Sequence, residues 1–176
     1  MTPFSTFFTQ HYGERVCLVG LGNPDYGDDG FGVRLAQELK KAGIPDVVNG
    51  GTSPEQCLGR IASREFDHVV FLDAADFGAS PGSLVVLGAE QIRMQFPQIS
   101  THKISLAVLA DLIEAHGEAK VWLLGVQPES IKPGTSLTPT LRKTLDIVKD
   151  LLLEVAIPEQ TPAPGRHRHF MEEHVC

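Results

Sequence analysis

The chain has 176 residues, 42% of them hydrophobic, and a net charge of −7, which suits one globular domain with a substantial core. The negative charge does not favour a nucleic-acid partner, and no apolar run approaches the ~20 residues that cross a bilayer. Three widely spaced cysteines do not resemble a disulfide framework, and the N-terminus has no basic residue ahead of an apolar segment, as a signal peptide would. We therefore expect a cytoplasmic protein without membrane insertion, and we also expect it to be a monomer.

Strand-like and helix-like patterns alternate along the chain. This alternation predicts an α/β fold with three αβα layers, in which a twisted, mostly parallel five-stranded sheet has helices on both faces. The predicted strands span residues 15–21, 47–48, 68–72, 83–87 and 121–126. The fourth of these strands is a candidate for antiparallel pairing. The predicted helices span residues 30–41, 54–62, 105–115 and 137–153.

The composition changes after residue 157. Three prolines and a glycine between residues 158 and 165 break regular structure, and the residues that follow are mostly polar. We therefore expect a single α/β domain over residues 1–157 and a flexible tail over residues 158–176. The tail carries His167, His169, His174 and Cys176. It is either an auxiliary metal-binding segment or a solvated tail, and the absence of a fixed ligand spacing favours the second.

Two adjacent carboxylates follow the first predicted strand, where a glycine turn leads into the first helix. They are Asp28 and Asp29. In open α/β sheets, ligands bind outside the carboxyl ends of the strands, so both acids stand where chemistry usually takes place. A helix N-terminus attracts anions, but two carboxylates there repel phosphate and favour a cation. Considered alone, either residue is also a good helix N-cap.

Two further side chains belong at the same edge of a parallel sheet. Asp73 ends the third predicted strand, and His102 precedes the third predicted helix. Together with Asp29 they would give two carboxylates and an imidazole, a set suited to Zn²⁺ or Ni²⁺ with one position left open. Each also has a simpler interpretation, because Asp73 can hold loop amides and His102 can be a surface residue.

The glycine turn is part of a longer motif, Gly20-x-Gly22-Asn23-x-x-x-x-Asp28-Asp29-Gly30-x-Gly32. It resembles the motif of the hydrogenase maturation endopeptidases, which trim the C-terminal extension from the large subunit of nickel–iron hydrogenases. Further segments resemble this family in the same order, at residues 50–52, 72–74, 100–106, 125–130 and 137–139. A single glycine motif would be weak evidence, but ordered motifs over residues 15–155 are specific.

The resemblance implies a peptidase in which Asp29, Asp73 and His102 bind a metal and Asp28 is a further catalytic candidate. The implied partner is the large-subunit precursor of a nickel–iron hydrogenase. Nickel would be present in that substrate and be engaged by the three residues, so that cleavage follows nickel insertion. A purified form holding another divalent ion, such as Zn or Cd, is left open.

One position departs from the family pattern. Many members carry an acidic residue just before the second glycine turn, where this chain has Asn49. An amide is a poor general base, so Asp28 or a metal-bound water would have to take the proton. Asn49 keeps one alternative open, a nickel-checking chaperone that binds the large subunit without cutting it.

The sequence disfavours one other enzyme, one kind of binding domain and one catalytic mechanism. Residues 19–24 also resemble peptidyl-tRNA hydrolase, but no histidine follows the turn and the negative charge suits tRNA badly. The glycine spacing differs from the G-x-G-x-x-G motif of dinucleotide-binding folds. Covalent catalysis lacks a nucleophile, because there is no G-x-S-x-G motif and Cys17 and Cys57 fall inside predicted elements.

Overall fold

A computed structural model of the chain describes residues 7, 10, 11, 13–95 and 105–156. Its centre is a five-stranded sheet with strand order β2-β1-β3-β5-β4. The strands are β1 Val16–Leu21, β2 Val47–Gly51, β3 His68–Ala74, β4 Leu84–Gly88 and β5 Lys120–Val126. Neighbouring pairs are parallel except β4 and β5, which are antiparallel. The predicted mostly parallel sheet and its antiparallel fourth strand are both confirmed.

Within residues 13–95 and 105–156, five α-helices cover the two faces of the sheet. They are α1 Phe31–Lys41, α2 Leu58–Ala62, α3 Ala89–Gln95, α4 Leu106–His116 and α5 Pro139–Ala156. Helices α1 and α5 share one apolar core with one face, and α2, α3 and α4 share a second core with the other. Because strand residues alternate between the faces, Val69 belongs to the second core and Val70 to the first. The predicted three-layer αβα fold is confirmed.

The first helix lies unusually close to the sheet because glycines face each other at the contact. A Cβ atom at Gly32 would stand 1.8 Å from the carbonyl oxygen of Leu72 on β3, and one at Gly20 would stand 2.3 Å from the carbonyl oxygen of Gly32. No side chain fits at either position. The spacing of glycines in the first motif therefore sets the approach of α1 to the sheet, and with it the position of the turn that carries Asp28 and Asp29.

Some elements differ from those predicted. Helix α3 was not predicted, since it is only seven residues long and such a short segment carries little periodic signal. The predicted helix over residues 54–62 begins as a 3₁₀ turn, Pro54–Cys57, and becomes helical only in α2. His102 and the tail predicted over residues 158–176 lie outside the described residues. None of the described helices combines the length and apolarity needed to span a membrane.

Candidate active site at the carboxyl edge of the sheet

Asp29 and Asp73 pack against the same glycine at the carboxyl edge of the sheet. Gly22 has φ +113°, and a Cβ atom there would lie 1.8 Å from the carbonyl oxygen of Asp29 and 3.6 Å from Asp73 Oδ1. The Gly22 N–H donates to the carbonyl oxygen of Gly51 at the end of β2, at 3.1 Å. The ends of β1, β2 and β3 therefore meet at one place, with both acids beside it.

Both carboxylates are almost fully buried, with 4% exposure each, and backbone amides orient them. Asp29 Oδ2 accepts a hydrogen bond from the N–H of Asn23 at 2.8 Å. Asp73 Oδ1 accepts one from the N–H of Ala74 at 2.9 Å. Carboxylate oxygens are ligands for divalent cations. Among the described residues, Asp29 and Asp73 supply two donors of this kind at the same edge of the sheet.

The carboxylate of Asp28 makes different contacts from that of Asp29. Its side chain has 0% exposure, and its carboxylate accepts hydrogen bonds from the backbone N–H groups of Glu129, Ser130 and Thr138 and from the Thr138 hydroxyl. These four bonds, at 2.7–3.0 Å, match the capacity of a carboxylate for about four donors. A general base needs an oxygen that can reach a substrate proton. The geometry therefore favours a loop-holding role for Asp28 over the catalytic role expected from the sequence.

The loop over residues 127–138 is tied to the turn that precedes Asp28 by backbone bonds as well. The N–H of Gly27 donates to the carbonyl of Gly134 at 2.7 Å, and the N–H of Gly134 donates to the carbonyl of Asp25 at 2.8 Å. Arg34 on α1 donates through Nη2 to the carbonyl oxygen of Thr135. Together with Asp28, these contacts fix the loop beside the carboxylate pair.

Gln127 holds the other loop of this edge, and sequence analysis did not single it out. Its Oε1 accepts from the N–H groups of Phe77 at 2.9 Å and Ala79 at 3.2 Å, while its Nε2 donates to Asp76 Oδ1 at 3.1 Å. The Gln127 side chain is buried, and its three contacts with this loop are partly shielded from water. A polar residue directly after an apolar strand was the only sequence signal for this role.

Neither described cysteine has the environment of a nucleophile. Cys17 is fully buried on β1, and burial raises the pKa of its thiol to about 12. Burial also raises the pKa of Cys57, whose Sγ points to the carbonyl oxygen of Asn49 at 3.7 Å. A thiol with a raised pKa carries little of the reactive thiolate near neutral pH, so the argument against covalent catalysis is strengthened.

A second cluster of metal-ligand residue types lies at the opposite, amino edge of the sheet. The possible ligand atoms of His11, Glu14 and His68 lie within 4.8 Å of one another. Glu14 accepts from both imidazoles, and Trp122 Nε1 donates to His68 Nδ1 at 2.9 Å. That donor requires the His68 proton to be on Nε2, whereas a metal-bound imidazole uses its unprotonated nitrogen and donates from the other. The cluster is therefore better described as a hydrogen-bond network than as a metal site.

Buried carboxylates at the carboxyl edge of a mostly parallel sheet, flanked by two anchored loops, define an α/β enzyme with an acidic site. Comparison with known families then identifies which one. The sequence profile of the HycI hydrogenase maturation protease family matches residues 33–155. The chain belongs to this family, and it is a peptidase.

Individual relatives agree with the family match. The chain is 34% identical to the hydrogenase 2 maturation protease of Escherichia coli K12 over 140 residues, which cover 75% of this chain and 84% of that protein. It resembles the crystal structure of the NiFe hydrogenase maturation protease HycI from Thermococcus kodakarensis, with a TM-score of 0.76, 29% identity and coverage of 86% and 98%. For the maturating endopeptidase HybD from E. coli, the TM-score is 0.66 at 31% identity, with coverage of 79% and 90%.

Proposed function

We propose that this protein removes the C-terminal extension from the large-subunit precursor of a nickel–iron hydrogenase, after nickel has been inserted, and thereby activates the hydrogenase. The observation that carries this proposal is the pair Asp29 and Asp73. Both are buried, the Asp29 backbone carbonyl and Asp73 Oδ1 lie beside Gly22, and the Asp29 carboxylate is bonded to the next residue, Asn23. Membership of the maturation protease family supplies the class of reaction.

Nickel enters the proposed reaction as part of the substrate. Asp29 and Asp73 would contact it through carboxylate oxygens, and His102 would add the imidazole that makes the ligand set suitable for nickel. A precursor without nickel would lack this contact and with it the attraction between a cation and the two carboxylates. Selection of the loaded precursor follows from this difference.

The chemical step is the hydrolysis of one peptide bond by water. A divalent ion beside the scissile bond polarises its carbonyl or lowers the pKa of a bound water. The chain's own contribution is to hold that bond in position beside the attacking water. The loops over residues 76–83 and 127–138 flank the site, so they are the surfaces that would contact the precursor. We further propose that the protein acts as a monomer in the cytoplasm.

The test compares the nickel-loaded and nickel-free forms of candidate large-subunit precursors, with intact mass as the readout. We expect loss of a C-terminal peptide from the loaded form alone. Asp29→Asn and Asp73→Asn should each reduce cleavage at least 100-fold, the scale of a lost charge-stabilising contact, while the exposed Asp25→Asn keeps wild-type activity. Tight binding of loaded precursor without any cleavage would favour the chaperone alternative instead.

A further inference from the structure

Two large apolar side chains are exposed on the segments beside the acidic pair. Tyr26 lies in the turn between β1 and α1 and is 46% exposed, and Ile131 lies in the loop over residues 127–138 and is 53% exposed. A single exposed apolar residue on a protein surface needs no explanation. Two of them on adjoining segments next to a candidate active site are more informative, because grouped apolar surface marks contact sites for other molecules.

The two segments that carry these side chains pack closely against each other. Gly27, the residue after Tyr26, has φ +56°. A Cβ atom on it would lie 2.9 Å from the carbonyl oxygen of Ser130 and 3.3 Å from that of Lys132. The backbone on both sides of Ile131 therefore contacts the residue that follows Tyr26. The two exposed side chains belong to one surface, which we call the Tyr26–Ile131 surface.

Hydrogen bonds fix this surface relative to the acidic pair. The Asp29 N–H donates to the carbonyl oxygen of Tyr26 at 3.1 Å, and the Tyr26 N–H donates to the carbonyl oxygen of Asn23 at 3.1 Å. The Asn23 N–H in turn donates to Asp29 Oδ2 at 2.8 Å. In the loop, the Ser130 N–H donates to the buried Asp28 carboxylate at 2.9 Å. Because both segments are held in place by these bonds, an apolar contact here requires little further ordering of the chain.

The protein is a peptidase, and its proposed active site is the edge of the sheet that carries the acidic pair. A polypeptide that is cut there continues past the site on both sides, by up to about 3.3–3.6 Å for each extended residue. An aromatic ring and a branched aliphatic side chain favour an apolar partner, whereas a polar side chain would lose hydration against them without gaining a hydrogen bond. Building on the proposed function, we propose that the Tyr26–Ile131 surface binds an apolar side chain of the precursor close to the peptide bond that is cut.

The test measures steady-state cleavage of the nickel-loaded precursor by variants of the full chain. Tyr26→Gln and Ile131→Gln replace the apolar side chains, and Ile147→Gln is the matched control at a 58% exposed position on α5. We expect each surface variant to raise KM about tenfold, the scale of one lost apolar anchor in an interface, with kcat within about twofold of wild type.

The control should change neither constant, and all variants should unfold at the same denaturant concentration as wild type. Tyr26→Phe keeps the ring and should recover the affinity that Tyr26→Gln loses. Unchanged KM in both surface variants would overturn the proposal, as would a fall in kcat without a rise in KM. Loss of affinity in Tyr26→Phe equal to that in Tyr26→Gln would also overturn it, because the contact would then depend on the hydroxyl group.

Changes in the precursor test the partner side of the contact. Apolar residues beside the cut are replaced by serine one at a time. One replacement should raise KM for the wild type about tenfold but have little further effect on Ile131→Gln, because substitutions at two residues in contact are not additive. Additive effects for every replacement would contradict the proposal. A wild-type dimer that Ile131→Gln dissociates, with KM unchanged, would assign this surface to a second copy of the chain.

Dissociation constants for the loaded precursor, measured with the same variants, separate this proposal from the proposed function. Binding without cleavage by the wild type would overturn the proposed function. A dissociation constant that still rises about tenfold in both surface variants would then support the contact, and an unchanged one would overturn it. A wild-type protein that neither binds nor cuts any loaded precursor would overturn both.

Discussion

Thr138 donates two hydrogen bonds to the carboxylate of Asp28, from its backbone N–H at 2.7 Å and from its hydroxyl at 3.0 Å. The two residues are 110 positions apart in the chain. Through this contact, the turn that presents Asp29 and the loop that ends at α5 become one unit. Asp28, which is next to the proposed metal-binding residue Asp29, therefore stabilises the conformation of the site.

The first prediction concerns this contact. Asp28→Asn turns one acceptor into an NH₂ donor that faces backbone N–H groups, and a buried unpaired donor costs about 1–3 kcal/mol. We expect a lower free energy of unfolding by denaturant and faster hydrogen–deuterium exchange in residues 127–138. Asp25→Asn, an exposed change in the same turn, should alter neither. Loss of cleavage with unchanged exchange would identify Asp28 as a catalytic group instead.

The sequence predicted the fold and the edge of the sheet at which the acids lie, because strand periodicity and glycine spacing are local signals. It did not predict how Asp28 and Gln127 are used, since their partners are about 50 to 110 positions away in the chain. The network around His68 escaped prediction for the same reason, because Glu14 and Trp122 are each 54 positions from it. The position of His102 remains a prediction from the sequence.

The second prediction tests whether Gln127 fixes the loop after β3. Gln127→Glu keeps the acceptor for Phe77 and Ala79 but places a second carboxylate against Asp76 Oδ1, now 3.1 Å from Nε2. We expect the free energy of unfolding to fall by about 1–2 kcal/mol, the scale of a lost hydrogen bond.

Adding Asp76→Asn to this variant provides a donor for the new carboxylate and should restore most of the stability. A double-mutant cycle measured by urea unfolding gives the coupling energy between the two positions. Additive effects, without recovery in the double variant, would mean that the two side chains do not act as a pair. If the loop over residues 76–83 contacts the substrate, the Michaelis constant for the precursor should rise in the variant whose free energy of unfolding falls, and it should recover in the double variant.

The third prediction is a pH dependence of stability that originates at the amino edge of the sheet. Burial is the largest influence on His68 and lowers its pKa below the ordinary value of 6.5, although the facing Glu14 opposes this and His11 and Lys120 reinforce it. The unfolded chain therefore binds this proton more readily than the folded protein. The contribution of His68 to stability is complete above about pH 6.5 and is lost as pH falls from there towards the lowered pKa.

His68→Gln removes this titration while keeping an acceptor for Trp122 and a donor for Glu14. We expect the thermal midpoint of the wild type to fall more steeply between pH 7.5 and 5.5 than that of the variant. His116→Gln, which changes an exposed histidine at the end of α4, should leave the wild-type slope unchanged. Parallel curves for wild type and His68→Gln would show that this imidazole does not titrate with unfolding. Glu14, whose pKa the two histidines lower, should add a further loss below its ordinary value of 4.5.

The last prediction concerns Gly22, which has both a left-handed backbone and no room for a side chain. Alanine there would combine φ +113° with a Cβ atom 1.8 Å from the carbonyl oxygen of Asp29, so the turn must move. Gly43→Ala is the matched control, because Gly43 has φ +87° with no atom within 4 Å of a Cβ. The free energy of unfolding of the control should therefore fall only by the cost of a left-handed backbone at an alanine, about 1 kcal/mol.

We expect the free energy of unfolding, measured with denaturant, to fall in Gly22→Ala by at least about 2 kcal/mol more than in the control. It should also lose cleavage of the nickel-loaded precursor, since displacing this turn moves Asp29 relative to Asp73 and breaks the link to β2. Retained cleavage in a destabilised but folded Gly22→Ala variant would mean that the spacing of the two carboxylates tolerates change. In that case nickel recognition would have to depend on one of them alone, and Asp29→Asn and Asp73→Asn should then differ sharply in effect.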